Sequence, residues 1–539
     1  MKFPRKKEAT RQLKTYFGLI ILVALSLGLG SAQTVRAATA PASNMTQAAL
    51  IPIHCTASTP NCLHDWTTTG AATQASTDIF AFDFSANVMY FADRVNQGID
   101  VISTTNNTYL GTIPVPTCNI AGAVPGSCPS GVVVTHQPHK LVVTDRNTTV
   151  GGSTVHLSHI LIYDLRIPNS APTILTINTT GTDTDELDYD PLNRRVYVAN
   201  TNCPCVVTVV DITNDTIVDT IPLPSNPEQP RFNPNDGNIY ITIPDDGTVA
   251  TGGPADGVYK IDPTKTGAAA LSKVVAAPSG CAVRGIYVDP PTNTGVVACA
   301  VPAPAFLLNF TTGQIDTSAD LSGVTGTDVE AYNPNLRRWY TGSSNNTDVI
   351  EADTSGALCP SSNHTATVPA IGVYQAVAKP KKNAPPVVLN GGSCSGVNGH
   401  GIGADTNRNQ VYTGVRQFPA DPNGLTSGAP GVLVYFDSSP LVQPRLKDVS
   451  NFKIVAQNGS GVSRNGFIEE GYIVSVFLSG LGSGTTAVVI PTTSGIERVS
   501  CDVSSGNGTC QAVLVGQALL GGTLLVGTGN SLVANALIK

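Results

Sequence analysis

One position in a repeating pattern gathers a set of groups that could do chemistry together. Short runs rich in β-branched and aromatic residues meet at turns centred on Asp83, Thr135, Asp190, Asn233, Asp289, Asn333 and Asp405. The residues five places before these anchors are Asp78, Ser130, Asp185, Glu228, Arg284, Asp328 and His400. All but Ser130 titrate or carry charge, in a chain whose Asp, Glu, Lys and Arg together make up only 13%. If the repeats close into a ring, these side chains meet at one mouth of it. Four carboxylates there would offer the oxygen donors taken by a hard divalent cation such as calcium, and one Arg and one His would suit a small polar ligand. Crowded carboxylates also raise one another's pKa, which makes an acid or a base. The plainer expectation for the same residues is a solvated polar loop.

Other chemistries lack their motifs. The chain has no G-x-S-x-G elbow, no H-E-x-x-H, no phosphate-binding P-loop and no C-x-x-C-H haem attachment. The acidic run Asp183–Asp188 lacks the turn glycine and terminal glutamate of an EF-hand. His136/His139 and His156/His159 stand three apart, which puts them on opposite faces of a strand, so neither pair is a ready bidentate ligand. His400 sits between Gly399 and Gly401, which would let a ligand approach the backbone. The net charge of −7 and the lack of a basic patch disfavour a nucleic-acid partner. The expected partner is a protein, a polysaccharide or a small polar ligand.

The element that must position the ring is clearest over residues 185–224. Leu187–Asp190, Arg195–Asn200, Val206–Asp211 and Thr216–Ile221 read as four strands separated by Asn/Asp/Pro turns. Forty residues of four-stranded meander have the size and order of one β-propeller blade. The anchors give seven such units over residues 49–440, and the long step from Asn333 to Asp405 leaves room for an eighth. Ile-Pro plus an apolar residue ends the fourth strand at Ile113–Val115 and Ile221–Leu223, and recurs at residues 51–53 ahead of the first unit. Residues 49–53 are therefore expected to supply the outer strand of the last blade and to close the ring. After a Ser/Pro stretch at 438–445 the repeat is lost. Short alternating runs over 447–539 predict a small immunoglobulin-like β-sandwich, serving as an attachment module, a spacer or a cap. The whole is all-β, in keeping with 52 Gly and 38 Pro.

The run RRVYVAN, then VTVVD, then TIVDTIPLP resembles the repeat of YVTN-type β-propellers, a family of bacterial extracytoplasmic proteins. The resemblance implies a propeller and an exported protein. It implies little about activity, because propellers host many functions. Gluconolactonase-type propellers bind a divalent ion at the channel mouth through carboxylates and amides. By location alone, Asp78, Asp185, Glu228 and Asp328 are similar to that arrangement.

Residues 1–37 read as a signal peptide: a Lys/Arg-rich start, an apolar run over 17–30 and small residues before a cleavage point. Residues 38–48 follow as a flexible segment. No later stretch is apolar enough to span a bilayer as a helix. Twelve cysteines suit a secreted, periplasmic or cell-surface protein. They fall in adjacent couples, Cys55/Cys62, Cys118/Cys128, Cys203/Cys205, Cys281/Cys299, Cys359/Cys394 and Cys501/Cys510. Local disulfides are expected, with Cys203/Cys205 the doubtful couple because two residues force awkward bridge geometry. The expected role is an exported, non-catalytic binding or scaffold protein. The alternatives are a metal-dependent hydrolase or lactonase with an acidic site at the mouth, and a cell-surface structural or adhesion protein.

Overall fold

In the computed structural model, the described residues are 45–55, 77–118, 128–343, 371–375 and 401–437, apart from short intervening turns and loops. The backbone alone is described for Ile371–Gln375 and for the strands within 452–537. The expected signal peptide and most of the flexible segment lie outside the described residues. Among the described residues the one helical turn is Gly267–Ala270; the regular structure is otherwise strand.

Blade 1 is the meander Thr77–Asp83, Val88–Asp93, Gly98–Ser103 and Thr108–Pro114. Blade 2 uses Val132–His136, His139–Asp145, His159–Asp164 and Thr173–Thr176, with a small hairpin inserted before its third strand. Blade 3 holds Asp183–Asp190, Arg195–Thr201, Val206–Asp211 and Thr216–Pro222. Blade 4 runs from Pro230–Asn233 to Leu271–Ala276, and blade 5 from Val283–Asp289 to Gln314–Asp316. Thr327–Asn333, Arg338–Ser343 and Ile371–Gln375 then form a three-stranded sheet. Ile402–Asp405, Gln410–Val415 and Gly431–Asp437 are the inner three strands of blade 6. Met45–Pro52 completes blade 6, pairing antiparallel with Gly431–Asp437 from Met45 opposite Asp437 to Pro52 opposite Gly431. The described residues thus hold six four-stranded blades and one further sheet of three. The first strands of consecutive sheets adjoin all the way round, and that of blade 6 adjoins that of blade 1.

The repeat is visible in the turn chemistry. The loop between the first and second strands has a left-handed residue at Asn87, Arg194, Asn293 and Asn409, and a glycine, Gly237, in blade 4. Asn tolerates that conformation and glycine adopts it freely. Its carbonyl accepts a bond from the residue at or just past the third strand's end: Thr104 to Asn87 at 3.0 Å, Ile212 to Arg194 at 3.1 Å, Phe310 to Asn293 at 2.9 Å and Asp437 to Asn409 at 2.8 Å. The anchor carboxylates Asp83, Asp190 and Asp405 are fully buried and accept the backbone N–H three residues on, at 3.0, 3.2 and 3.1 Å. A short polar side chain is needed because it replaces a backbone acceptor within the turn.

Alternate strand residues interlock between blades. The stacked rings of Phe80 and Phe91, 5.4 Å apart, pack in one cluster with Ile51, Ile53, Tyr412 and Val434, so blade 1 and the closing strand share a core. Leu187, Val196 and Val198 of blade 3 pack with Val142, Ile160 and Ile162 of blade 2. Polar ties cross further seams. His139 Nε2 meets Asp83 Oδ2 at 2.7 Å, Asn233 bonds Asn293 at 3.0 Å, and Asn333 bonds Asn409 at 3.0 Å. At the closure, Arg408 reaches Asn87 (2.7 Å) and Thr104 (3.0 Å).

Two disulfides are formed among the described residues, Cys118–Cys128 and Cys281–Cys299. Cys55 and Cys205 are also disulfide-bonded. Cys62, Cys203, Cys359 and Cys394 lie outside the described residues, as do the side chains of Cys501 and Cys510. In the C-terminal part, seven antiparallel strands join in one sheet, in spatial order Phe452–Gln457, Ile473–Ser479, Asn507–Val513, Gly495–Ser504, Gly484–Thr492, Thr523–Thr528 and Ser531–Leu537. Phe467–Ile468 and Ala518–Leu519 form a separate antiparallel pair. An immunoglobulin-like sandwich would divide its strands between two sheets.

Candidate channel-mouth site

The position five before each anchor coincides with a defect in the inner strand. In four sheets the register between the first two strands slips between Thr77 and Phe80, Thr184 and Leu187, Val283 and Ile286, and Thr327 and Glu330. Asp78, Asp185, Arg284 and Asp328 all fall inside these β-bulges. A bulge leaves its extra residue outside the ladder and re-aims its side chain. In blades 2 and 4 the corresponding residues, Ser130 and Glu228, lie just before the inner strand. Their backbone N–H groups still bond the second strand, to the carbonyls of Thr144 (3.0 Å) and Thr242 (2.9 Å). His400 lies outside the described residues.

The carboxylates do not stand together as an open oxygen cage. Asp78 is ion-paired with Arg94, Asp185 with Arg146 at 2.5 Å, and Glu228 with Arg284. The Glu228–Arg284 pair joins two expected ring members across blades 4 and 5. Arg94 and Arg146 are additional: each follows an aspartate at the end of a second strand, in Asp93-Arg94 and Asp145-Arg146. Arg94 also donates Nε to the Pro129 carbonyl of blade 2 at 3.3 Å. Arg146 reaches from blade 2 to blade 3. Asp185 chiefly, with Asp78 and Asp183, raises its pKa, and burial opposes them only in part, so the guanidinium stays charged.

Blades 2 and 3 leave unused hydrogen-bonding capacity here. Ser130 Oγ, Arg146 Nε and Asp185 Oδ1 are buried atoms without a hydrogen-bond partner. The surrounding backbone is tight. Gly131 donates to Thr144 Oγ1 at 2.7 Å, and that hydroxyl in turn donates to the Asp185 carbonyl. A Cβ at position 131 would sit 2.6 Å from the Asp185 carbonyl oxygen, so glycine is required by the approach of the neighbouring inner strand.

A second polar group spans blades 3 to 5. Arg231 of blade 4 donates to Asp188 of blade 3 at 3.4 Å and to the Ile286 carbonyl of blade 5 at 3.3 Å, and lies 4.4 Å over the Tyr287 ring. The Asp188 carboxylate also accepts the Phe232 N–H at 2.6 Å. Burial pushes the Asp188 pKa up, and Arg231 pulls against it. In the three-stranded sheet, Glu330 stands directly opposite Thr341. Both Glu330 oxygens and the Thr341 hydroxyl are buried and have no hydrogen-bond partner. Burial drives the Glu330 pKa well above the usual carboxylate range, Asp328 adds to this, and Arg231 opposes it.

Among the described residues one group of His, Cys, Asp or Glu stands close enough for a shared metal ion, Cys118, Cys128 and Asp145, with ligand atoms within 4.8 Å. Its two sulfurs are bonded to each other, which occupies them, and Asp145 bonds His159 Nδ1 at 3.1 Å. The two described imidazoles of the His pairs, His139 and His159, each serve a carboxylate rather than one another. The sequence reading singled out neither Arg94 and Arg146 nor Glu330. The repeated Asp-Arg after a second strand was the available signal for the first two.

No family model matches the chain, and no curated protein matches it. Among solved structures, the chain is similar to Kuenenia stuttgartiensis hydrazine synthase, at 10% identity and a TM-score of 0.44, over 63% of this chain and 92% of that one. The propeller assignment rests on the blades themselves.

Proposed function

We propose that this chain is an exported β-propeller binding or scaffold protein that takes a small polar ligand at the channel mouth over blades 1 to 3. The observation that carries the reading is the trio Ser130 Oγ, Arg146 Nε and Asp185 Oδ1, buried beside two ion pairs and lacking partners. Buried polar atoms are nearly always satisfied in folded proteins, and each exception asks for a water, an ion or a ligand. The arginine partners of Asp78, Asp185 and Glu228 favour this reading over a hydrolase built on a ring-bound divalent ion, because the cation would have to displace guanidiniums already in contact. The three-stranded sheet, standing in sequence and in contact between blades 5 and 6, is inferred to be the seventh blade. The C-terminal sheet is inferred to attach or space the propeller. The resemblance to YVTN-type repeats and the disulfides support export.

The test is thermal unfolding of the chain from residue 38 onward against small polar compounds, calcium chloride and a chelator. A ligand present at a hundredfold its dissociation constant should add about 2.7 kcal/mol of stability. The shift should vanish in Arg146→Lys. A shift with calcium, reversed by the chelator and unaffected by Arg146→Lys, would reject the reading.

A further inference from the structure

We propose that the ligand of this mouth is an uncharged, polyhydroxylated molecule, a saccharide, held by Ser130, Arg146 and Asp185. The inference rests on the mouth being the binding site, as argued above, and narrows its chemistry. Charge is the first argument. Arg94 and Arg146 are already paired with Asp78 and Asp185. A phosphate would have to take Arg146 from Asp185, and a metal ion would have to take Asp185 from Arg146. Either exchange breaks a charge-assisted hydrogen bond in a partly buried place. A neutral ligand breaks neither.

The leftover valences are the second argument. Arg146 Nε–H can only donate, Asp185 Oδ1 can only accept, and Ser130 Oγ can do both. A hydroxyl is donor and acceptor in one group. Two adjacent hydroxyls therefore satisfy the pair together, one accepting from Nε and the other donating to Oδ1, and a third meets Ser130. Both atoms belong to side chains already joined by the Arg146 Nη2–Asp185 Oδ2 bond, so a ligand meets them on one ion pair. The third argument is rigidity. The chain Gly131–Thr144–Asp185 ties Ser130's neighbour to the backbone of the Asp185 bulge. The backbone that carries Ser130 and Asp185 is thus tied before any ligand arrives, which reduces the ordering cost of binding.

The experiment uses the chain from residue 38 onward, an immobilised array of neutral hexoses, pentoses and N-acetylhexosamines, and calorimetry with the free sugars that score. Inorganic phosphate, calcium chloride and glycinamide are run beside them. The variants are Arg146→Lys, which keeps the charge facing Asp185 but removes the Nε–H, and Ser130→Ala. Arg166→Lys alters the exposed pair with Asp164, away from the mouth, as a control. The expected result is binding of a neutral sugar, weakened about tenfold or more by Arg146→Lys and by Ser130→Ala and unchanged by Arg166→Lys. Melting temperatures should not fall in Ser130→Ala, since an unpartnered buried hydroxyl is removed. Binding of phosphate, calcium or glycinamide, lost in the same two variants, would overturn the saccharide class and leave the site. Sugar binding indifferent to both variants, or no binding by any probe, would overturn the site and the class together.

Discussion

Glu330 shows how one residue can depart from a repeat. Three residues before each anchor, the inner strands place Phe80, Val132, Leu187, Pro230, Ile286 and Ile402, all apolar, and at Asn333 the same position is Glu330. Its cross-strand neighbour Thr341 stands where blades 1 and 3 have Phe91 and Val198. A buried carboxyl lacking a partner loses the hydration it had in the unfolded chain. The folded chain therefore keeps a proton on Glu330 at pH values where the unfolded chain has released it. With the folded pKa raised, the stability associated with that proton is fully present below the unfolded value of about 4.3 and is lost as pH rises through the folded pKa. Glu330→Leu should stabilise the chain at about pH 8 by roughly 1–3 kcal/mol, and the gain should shrink toward about pH 4. Guanidinium unfolding at the two pH values reads both effects. A loss of stability at neutral pH would mean that Glu330 is satisfied by something bound there. The residue was invisible to the sequence reading because the reading followed a register two positions away. The arginines escaped for a different reason. Alignment on a turn marks backbone positions, whereas Arg94 and Arg146 reach their partners through long side chains that start on another strand.

At the scale of elements, two long cations repeat a device for joining neighbouring sheets. Lys140 and Arg338 both stand five residues past an anchor, near the start of a second strand. Lys140 Nζ reaches the Ile212 carbonyl at 2.8 Å and Asp215 at 2.5 Å in the next blade. Arg338 Nη1 reaches both oxygens of Asp437 in blade 6, at 3.1 and 3.0 Å, and Tyr340 donates to the same carboxylate at 2.8 Å. Arg338 is 2% exposed and Asp437 fully buried, so water can replace neither. Removing one member strands the other's charge, which costs about 3–5 kcal/mol. Arg338→Met alone should therefore lower stability by about that much. Arg338→Met with Asp437→Leu should recover most of it, since a buried ion pair exchanged for apolar groups is often close to neutral. Urea unfolding of the two single variants and the double variant supplies the cycle, and additive losses would show that the pair acts independently. The four-strand meander was legible before the structure because its determinants are local: β-branched alternation, Asn or Gly at the left-handed turn, Asp at the anchor. The ties between sheets were not, because each links residues far apart in sequence.

For the whole molecule, the outcome of closure depends on a strand that precedes everything it completes. Met45–Pro52 lies at one end of the ring sequence and Gly431–Asp437 at the other, and their pairing gives blade 6 its fourth strand. Sequence alone suggested this through one cue, an Ile-Pro-Ile that looked like a fourth-strand ending in the wrong place. The structure starts the pairing earlier, at Met45, with a register shift between Gln47 and Ala49. Ile51 and Ile53 are 1% and 0% exposed, in a cluster with Phe80, Phe91, Val432 and Val434. Burying two isoleucine side chains is worth roughly 3–6 kcal/mol as an upper figure. That apolar contact spans blade 6 and blade 1, where Arg408 also bonds Asn87 and Thr104. A chain lacking residues 45–53 should therefore melt at a clearly lower temperature, and its first loss of amide protection should come in Gly431–Asp437, whose outer edge is then exposed. A synthetic peptide of residues 45–55 added in excess should restore part of the lost melting temperature by mass action. The same peptide with Ile51→Asp should not. An unchanged melting temperature after the deletion would show that the inner strands hold the ring shut without this strand.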